Sequence, residues 1–143
     1  MYNQFSYPVK LTKQKEGGYL VQFVDLPQAI TQGETIEDAL DQAADCLEEI
    51  IAFLIENKRD IPHPSKHKKY KYVSLSATFA AKTALYLTMR EKKLNNTLLA
   101  KKLHCDEKEV RRLIDPYYGS KLPRIEQALH KLGKKIEIYV VSI

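Results

Sequence analysis

Lys108, Arg111 and Arg112 carry the clearest chemistry in this sequence, because they fall on the outward side of what reads as a short helix inside residues 96–114. Arginine and lysine donate to guanine edges in the major groove of DNA, while hydroxyls and cations near helix starts and flanks hold phosphates. On that chemistry Lys108 and Arg111 are the candidate base readers, and Thr97, Lys101, Arg112 and Lys121 are the candidate phosphate contacts. Glu107 stands among them; it can accept from cytosine but repels phosphate. Bond-breaking chemistry finds less support. A two-metal nuclease needs clustered carboxylates, and the first strand carries none. Asp25 and Asp38 are a pair that could approach one another, yet a turn acid and a helix-start acid already have structural roles. His63, His67 and His130 lack ligand spacing, and Cys46 and Cys105 form no CxxC, so neither a metal site nor a disulfide framework is expected. The chain reads as non-enzymatic, without metal or cofactor, its thiols reduced.

The elements that position these residues follow from periodicity and punctuation. Phe5, Tyr7, Val9 and Leu11 alternate with Ser6, Lys10 and Thr12, as in a strand with one buried face. Gly17 and Gly18 allow a tight reversal into a second strand over residues 19–24, and Asp25-Leu26-Pro27 breaks it. A short third strand over residues 29–32 leads to a long helix, which Thr35 caps with Asp38 in the capping-box position. Its inner face is Ile36, Ala39, Leu40, Ala43, Ala44, Leu47, Ile50, Ile51 and Leu54, and it fades near Asn57. Residues 58–69, with Pro62, Pro64 and five Lys or Arg side chains, read as a linker. Residues 70–76 alternate again, either as a fourth strand of the first sheet or as an arm of the second module.

From Ala80 the texture is helical, with Ala81, Ala84, Leu85, Thr88 and Met89 on one face. Residues 96–114 fit a helix-turn-helix: a short helix closing at Leu103, a turn, and a second helix capped by Asp106 and stopped by Pro116. Leu99, Leu103, Val110, Leu113 and Ile114 bury the inner angle, and small Ala100 lets the helices cross closely. A further helix spans residues 120–133, with Pro123 in its first turn and Gly133 as its stop. Residues 136–143 read as a final strand, apolar on both faces, which must pair across a two-fold axis or be buried in a monomer core.

The overall charge of +5 divides unevenly. Residues 1–60 hold 5 Lys+Arg against 11 Asp+Glu, whereas residues 61–143 hold 18 against 7. The asymmetry suggests an acidic module for one partner and a basic module for a polyanion, the alternative being two solvated surfaces. No run has the apolar length of a membrane span, and Met1-Tyr2-Asn3-Gln4 lacks a charged start followed by an apolar stretch, so a cytoplasmic protein without membrane attachment is expected.

The order of motifs resembles the HicB-type antitoxins. Tyr7-Pro8-Val9, Gly17-Gly18-Tyr19, Phe23, Asp25-Leu26-Pro27, Thr31-Gln32-Gly33 and Glu37-Asp38-Ala39 carry the likeness in the first half, and the helix-turn-helix with Ala128-Leu129 and Leu132-Gly133 carries it in the second. Two positions depart from the pattern: Gln28 stands where glycine commonly follows the proline, and His104 stands at the turn position usually given to glycine. The resemblance implies an amino-terminal module like a partial ribonuclease H fold lacking the nuclease's metal carboxylates. It further implies a toxin–antitoxin partner that silences HicA, a small RNA-cleaving toxin. Such a toxin needs a cationic surface for its substrate, so an acidic face would steer and block it. Asp25, Glu34, Glu37 and Asp41 are the candidates, with Tyr19 and Phe23 adding apolar contact; the same acids are equally explained as a solvated helix face.

The expectation is therefore an α+β chain. A β-β-β-α-β toxin-binding module occupies residues 1–76, and a helix-turn-helix DNA-binding and dimerisation domain ending in a strand occupies residues 77–143. Its expected partners are a HicA-type toxin, double-stranded operator DNA and further copies of itself. The rivals are a stand-alone transcriptional regulator with a sensing amino-terminal domain and a nucleic-acid enzyme.

Overall fold

The structure, a computed structural model, describes residues 3–143; Met1 and Tyr2, at the terminus read above for a leader, lie outside the described residues. Its internal contacts divide the chain into two units, one ending at Ser76 and the other beginning at Ala77.

The first unit is built on β1 (Ser6–Lys13), β2 (Tyr19–Phe23), β3 (Ile30–Gly33), α1 (Ile36–Glu56) and β4 (Lys71–Ser74). Gly17 and Gly18 sit at φ +100° and +78°, the left-handed region open to glycine, and reverse β1 into β2 so that Lys13 faces Tyr19 and Val9 faces Phe23. All neighbours are antiparallel, in the order β3-β2-β1-β4, which resolves residues 70–76 as belonging to the first sheet. Paired residues share a face, so Tyr7, Val9, Phe23 and Val73 lie together, and all four are buried. α1 packs along the sheet with Ala39, Ala43, Leu47 and Ile51 at zero exposure. Its start matches the expected cap: the Asp38 amide donates to Thr35 Oγ1 at 3.0 Å, and Asp38 Oδ2 accepts from the Glu34 amide at 2.8 Å. Ile36, placed on the inner face by periodicity, is instead exposed at the first position of α1.

Residues 58–69 are not a free linker. Ile61 and Pro64 are buried, the Tyr7 hydroxyl donates to the Pro62 carbonyl at 2.8 Å, and the Ser65 amide donates to Asp25 Oδ2 at 2.8 Å. The Tyr72 hydroxyl donates to the Ser65 carbonyl at 2.9 Å and accepts from the His67 amide at 2.7 Å. Proline disfavours a ladder here, but it does not forbid a strap held by side chains from the sheet and its turn.

The second unit comprises α2 (Ala77–Glu91), α3 (Asn96–Leu103), α4 (Glu107–Ile114) and α5 (Leu122–Lys131) around a core that includes Leu85, Leu99, Val110, Leu113, Ile125 and Leu129. Lys82 of α2 is fully buried in it and donates to the carbonyls of Arg112 and Asp115 and to Ser120 Oγ, at 2.9, 2.7 and 2.9 Å. Burial pushes its pKa down and Asp115 pulls it back up. The ammonium thus caps the negative end of α4. Residues 136–143 form no strand: Ile136 packs against the core, but Ile138, Val140, Val141 and Ile143 are exposed, Val140 to 94%. The expected terminal strand has no partner within one chain, and a strand needs one to satisfy its backbone.

Two substitutions check these supports. A Cβ on Gly33 would lie 2.3 Å from the Ala39 amide nitrogen and 2.5 Å from its Cα. Gly33→Ala is therefore expected to lower stability by about 1–3 kcal/mol in urea titration, while Gly119→Ala, in open space, leaves the midpoint in place. Lys82→Met removes the shortest donor from two carbonyls at the end of α4, leaving Arg112 the Ser120 hydroxyl at 3.3 Å and Asp115 the Tyr118 amide at 3.2 Å, and is expected to cost about 1–3 kcal/mol by the same measurement.

Candidate functional site

The geometry of the basic site begins with its caps. Asn95 Oδ1 accepts from the Leu98 amide at 2.8 Å and starts α3; Asp106 Oδ1 accepts from the Glu109 amide at 2.8 Å and starts α4. Between them His104 takes the left-handed conformation, φ 54° and ψ 46°, where a glycine would be free of the cost. With Leu99, Ala100, Leu103, Val110 and Leu113 turned inward and buried, the outward residues are fixed by the helical period. Lys101, Lys108, Arg111, Arg112 and Lys121 are all exposed, as the sequence pattern predicts. Lys102 is exposed beside them although the sequence reading does not single it out; its place in the last turn of α3, next to Lys101, is the signal that could have found it.

Glu107 is less awkward than the sequence suggests. Its carboxylate accepts from the Thr97 hydroxyl, linking the start of α3 to the start of α4, and it lies 3.9 Å from the Arg111 guanidinium. The Thr97 hydroxyl is accordingly committed to Glu107 in this state. Arg112 lies over the Tyr118 ring at 5.3 Å, which holds its guanidinium against the loop that follows α4. Arg124 of α5 grips Glu109 at 2.6 Å and tethers the other flank of α4. Sequence reasoning singles out neither Lys82 nor Arg124. For Lys82 the signal is its spacing with Phe79, Tyr86 and Met89, which are also buried.

The acidic candidates differ in exposure. Glu34, Glu37 and Asp41 are exposed around the start of α1, with exposed Ile36 among them in sequence. Asp25 is half-buried and holds the Ser65 amide, and Asp38 is occupied by its cap. Tyr19 is half-buried. Phe23, expected to add apolar contact, is only 3% exposed and belongs to the core, because its register with Val9 turns it to the buried face. Among the described residues no group of three His, Cys, Asp or Glu is arranged to hold a metal ion. Burial raises the pKa of both Cys46 and Cys105, with Glu49 and Glu109 acting in the same direction, which disfavours the reactive thiolate. Among the described residues no helix is long and apolar enough to cross a membrane.

Known proteins align with this arrangement along almost all of its length. The family described as HicB-like antitoxin of bacterial toxin-antitoxin system matches residues 6–84. Antitoxin HicB 2 of Photorhabdus laumondii subsp. laumondii is 36% identical over 141 residues, covering 99% of this chain and 100% of that protein. Antitoxin HicB of Escherichia coli (strain K12) is 32% identical over 136 residues, covering 94% and 99%. The crystal structure of the N-terminal domain of Burkholderia pseudomallei antitoxin HicB aligns at a TM-score of 0.42 and 21% identity, over 50% of this chain and 96% of that one. With the family match spanning more than half of the residues and two relatives above 30% identity over nearly their whole lengths, the chain belongs to the HicB-like antitoxins of bacterial toxin–antitoxin systems.

Proposed function

We propose that this antitoxin neutralises a HicA-type mRNA-cleaving toxin with its first unit and represses its own operon with its second. The observation that carries the reading is the family itself, matched through the first unit and, by its relatives, through the second as well. In the first unit, a sheet backed by one helix and read as a partial ribonuclease H fold, Glu34, Glu37 and Asp41 offer exposed negative charge on a capped helix start. A toxin that grips RNA presents positive charge, so this face both attracts it and occupies the surface its substrate needs.

In the second unit α3 and α4 act as a helix-turn-helix, with α4 as the recognition helix in the major groove of double-stranded operator DNA. Lys108 and Arg111 read bases, while Lys101, Lys102, Arg112 and Lys121 hold phosphates, joined by Thr97 once Glu107 releases it. One such module reads few base pairs, so a homodimer or higher homo-oligomer on paired half-sites is the working form. The exposed run over residues 137–143, with Ile138, Val140, Val141 and Ile143 in it, supplies the means, by pairing between copies.

Arg111→Ala is expected to weaken operator binding by about 1–3 kcal/mol at one base-pair position, measured by retardation across a panel of operator variants. Uniform loss over the whole panel makes Arg111 a phosphate contact instead. Removing residues 78–143 is expected to spare rescue of cells expressing the toxin while abolishing repression of a promoter fusion. Loss of rescue would place toxin contacts in the second unit.

A further inference from the structure

Residues 66–72 read Lys-His-Lys-Lys-Tyr-Lys-Tyr, a cationic and aromatic run inside the unit that is otherwise acidic. Neither function proposed above uses it. Lys68, Lys69 and Lys71 are exposed and make no ion pair among the described residues. Tyr70 is 37% exposed and Tyr72 41%. The run is held in place at several points. Tyr72 is paired with Pro8 in the sheet, and its hydroxyl is fixed by both the Ser65 carbonyl and the His67 amide. The His67 ring stands against Tyr70 with centroids 5.2 Å apart and planes at 54°, and Asp25 anchors the neighbouring Ser65.

Aromatic rings held at fixed positions and interleaved with the exposed ammonium groups of Lys68, Lys69 and Lys71 match the two needs of an unpaired polynucleotide strand. Its bases stack on rings, and its phosphates are neutralised by lysine. A duplex keeps its base faces inside its own stack and would use only the lysines. We propose that residues 66–72 form a binding site for single-stranded nucleic acid, separate from the duplex-binding surface of the second unit.

The test uses the full-length chain and fluorescence anisotropy with a labelled 12-nucleotide RNA without self-complementarity, its DNA counterpart, and a non-operator duplex, each over a salt series. The triple substitution Lys68→Gln, Lys69→Gln, Lys71→Gln is expected to reduce the slope of log affinity against log salt for the single strands by about 2, at about 0.7 for each phosphate that is no longer neutralised. Tyr70→Ala is expected to weaken single-strand binding at least about fivefold, with Tyr70→Phe retaining it and duplex binding unchanged. Circular dichroism and operator retardation, read on the same samples, establish that each variant is folded and that the second unit is intact. Tighter binding of the RNA than of its DNA counterpart assigns RNA as the source of the strand, and equal binding assigns either. Single-strand affinity that ignores Tyr70→Ala, or that falls with Lys108→Ala and Arg111→Ala while the loop variants leave it alone, overturns the proposal. The operator panel reports on the second unit only, so failure of this site and failure of the operator reading are told apart.

Discussion

The first unit depends on one topological constraint: β3 and β4 occupy opposite edges of the sheet, and α1 is the element between them in sequence. Residues 57–70 carry the chain from the end of α1 to β4 at the far edge. They must run over the surface, yet a bare loop of that length would leave β4 poorly placed. Asp25, Tyr7 and Tyr72, each already fixed by the sheet or its turn, fasten the crossing by hydrogen bonds to its backbone. The same ties that complete the sheet decide which side chains of the crossing face solvent.

The second unit solves a different problem. An eight-residue helix such as α4 has little stability of its own, so its neighbours have to hold it. Lys82 from α2 takes the carbonyl end of α4, and Arg124 from α5 takes Glu109 in its first turn. An isolated ammonium in an apolar core is costly, but its three donors meet three oxygens here, and the helix dipole points its negative end at the charge. Lys82 fastens the helix from inside, and Lys108, Arg111 and Arg112 stay exposed outside.

Local rules make much of this legible from residues alone. The Thr35 and Asp38 spacing, the paired glycines, and the Asn96 to Leu103 and Glu107 to Ile114 helices all follow from caps and periods that act within a few positions. What escapes is long-range. Prolines in residues 58–69 announce the absence of a ladder, but nothing local says that Asp25, forty residues away, holds Ser65. Lysine is read as exposed by habit, so the type of Lys82 hides its apolar spacing. Phe23 follows from register, which is a property of two strands. Residues 136–143 alternate like a strand, but alternation describes a preference, and the hydrogen bonds that realise it have to come from another chain or none.

The contact between Gly33 and Ala39 has a consequence for whatever meets the start of α1. With no room for even a methyl group between the end of β3 and the first turn of the helix, strand and helix move as a single body, and the backbone beneath Glu34, Glu37 and Asp41 has little freedom left to lose. Docking on such a surface forfeits side-chain entropy but almost none from the main chain. Complexes formed there should owe their lifetimes to fit rather than to folding on contact.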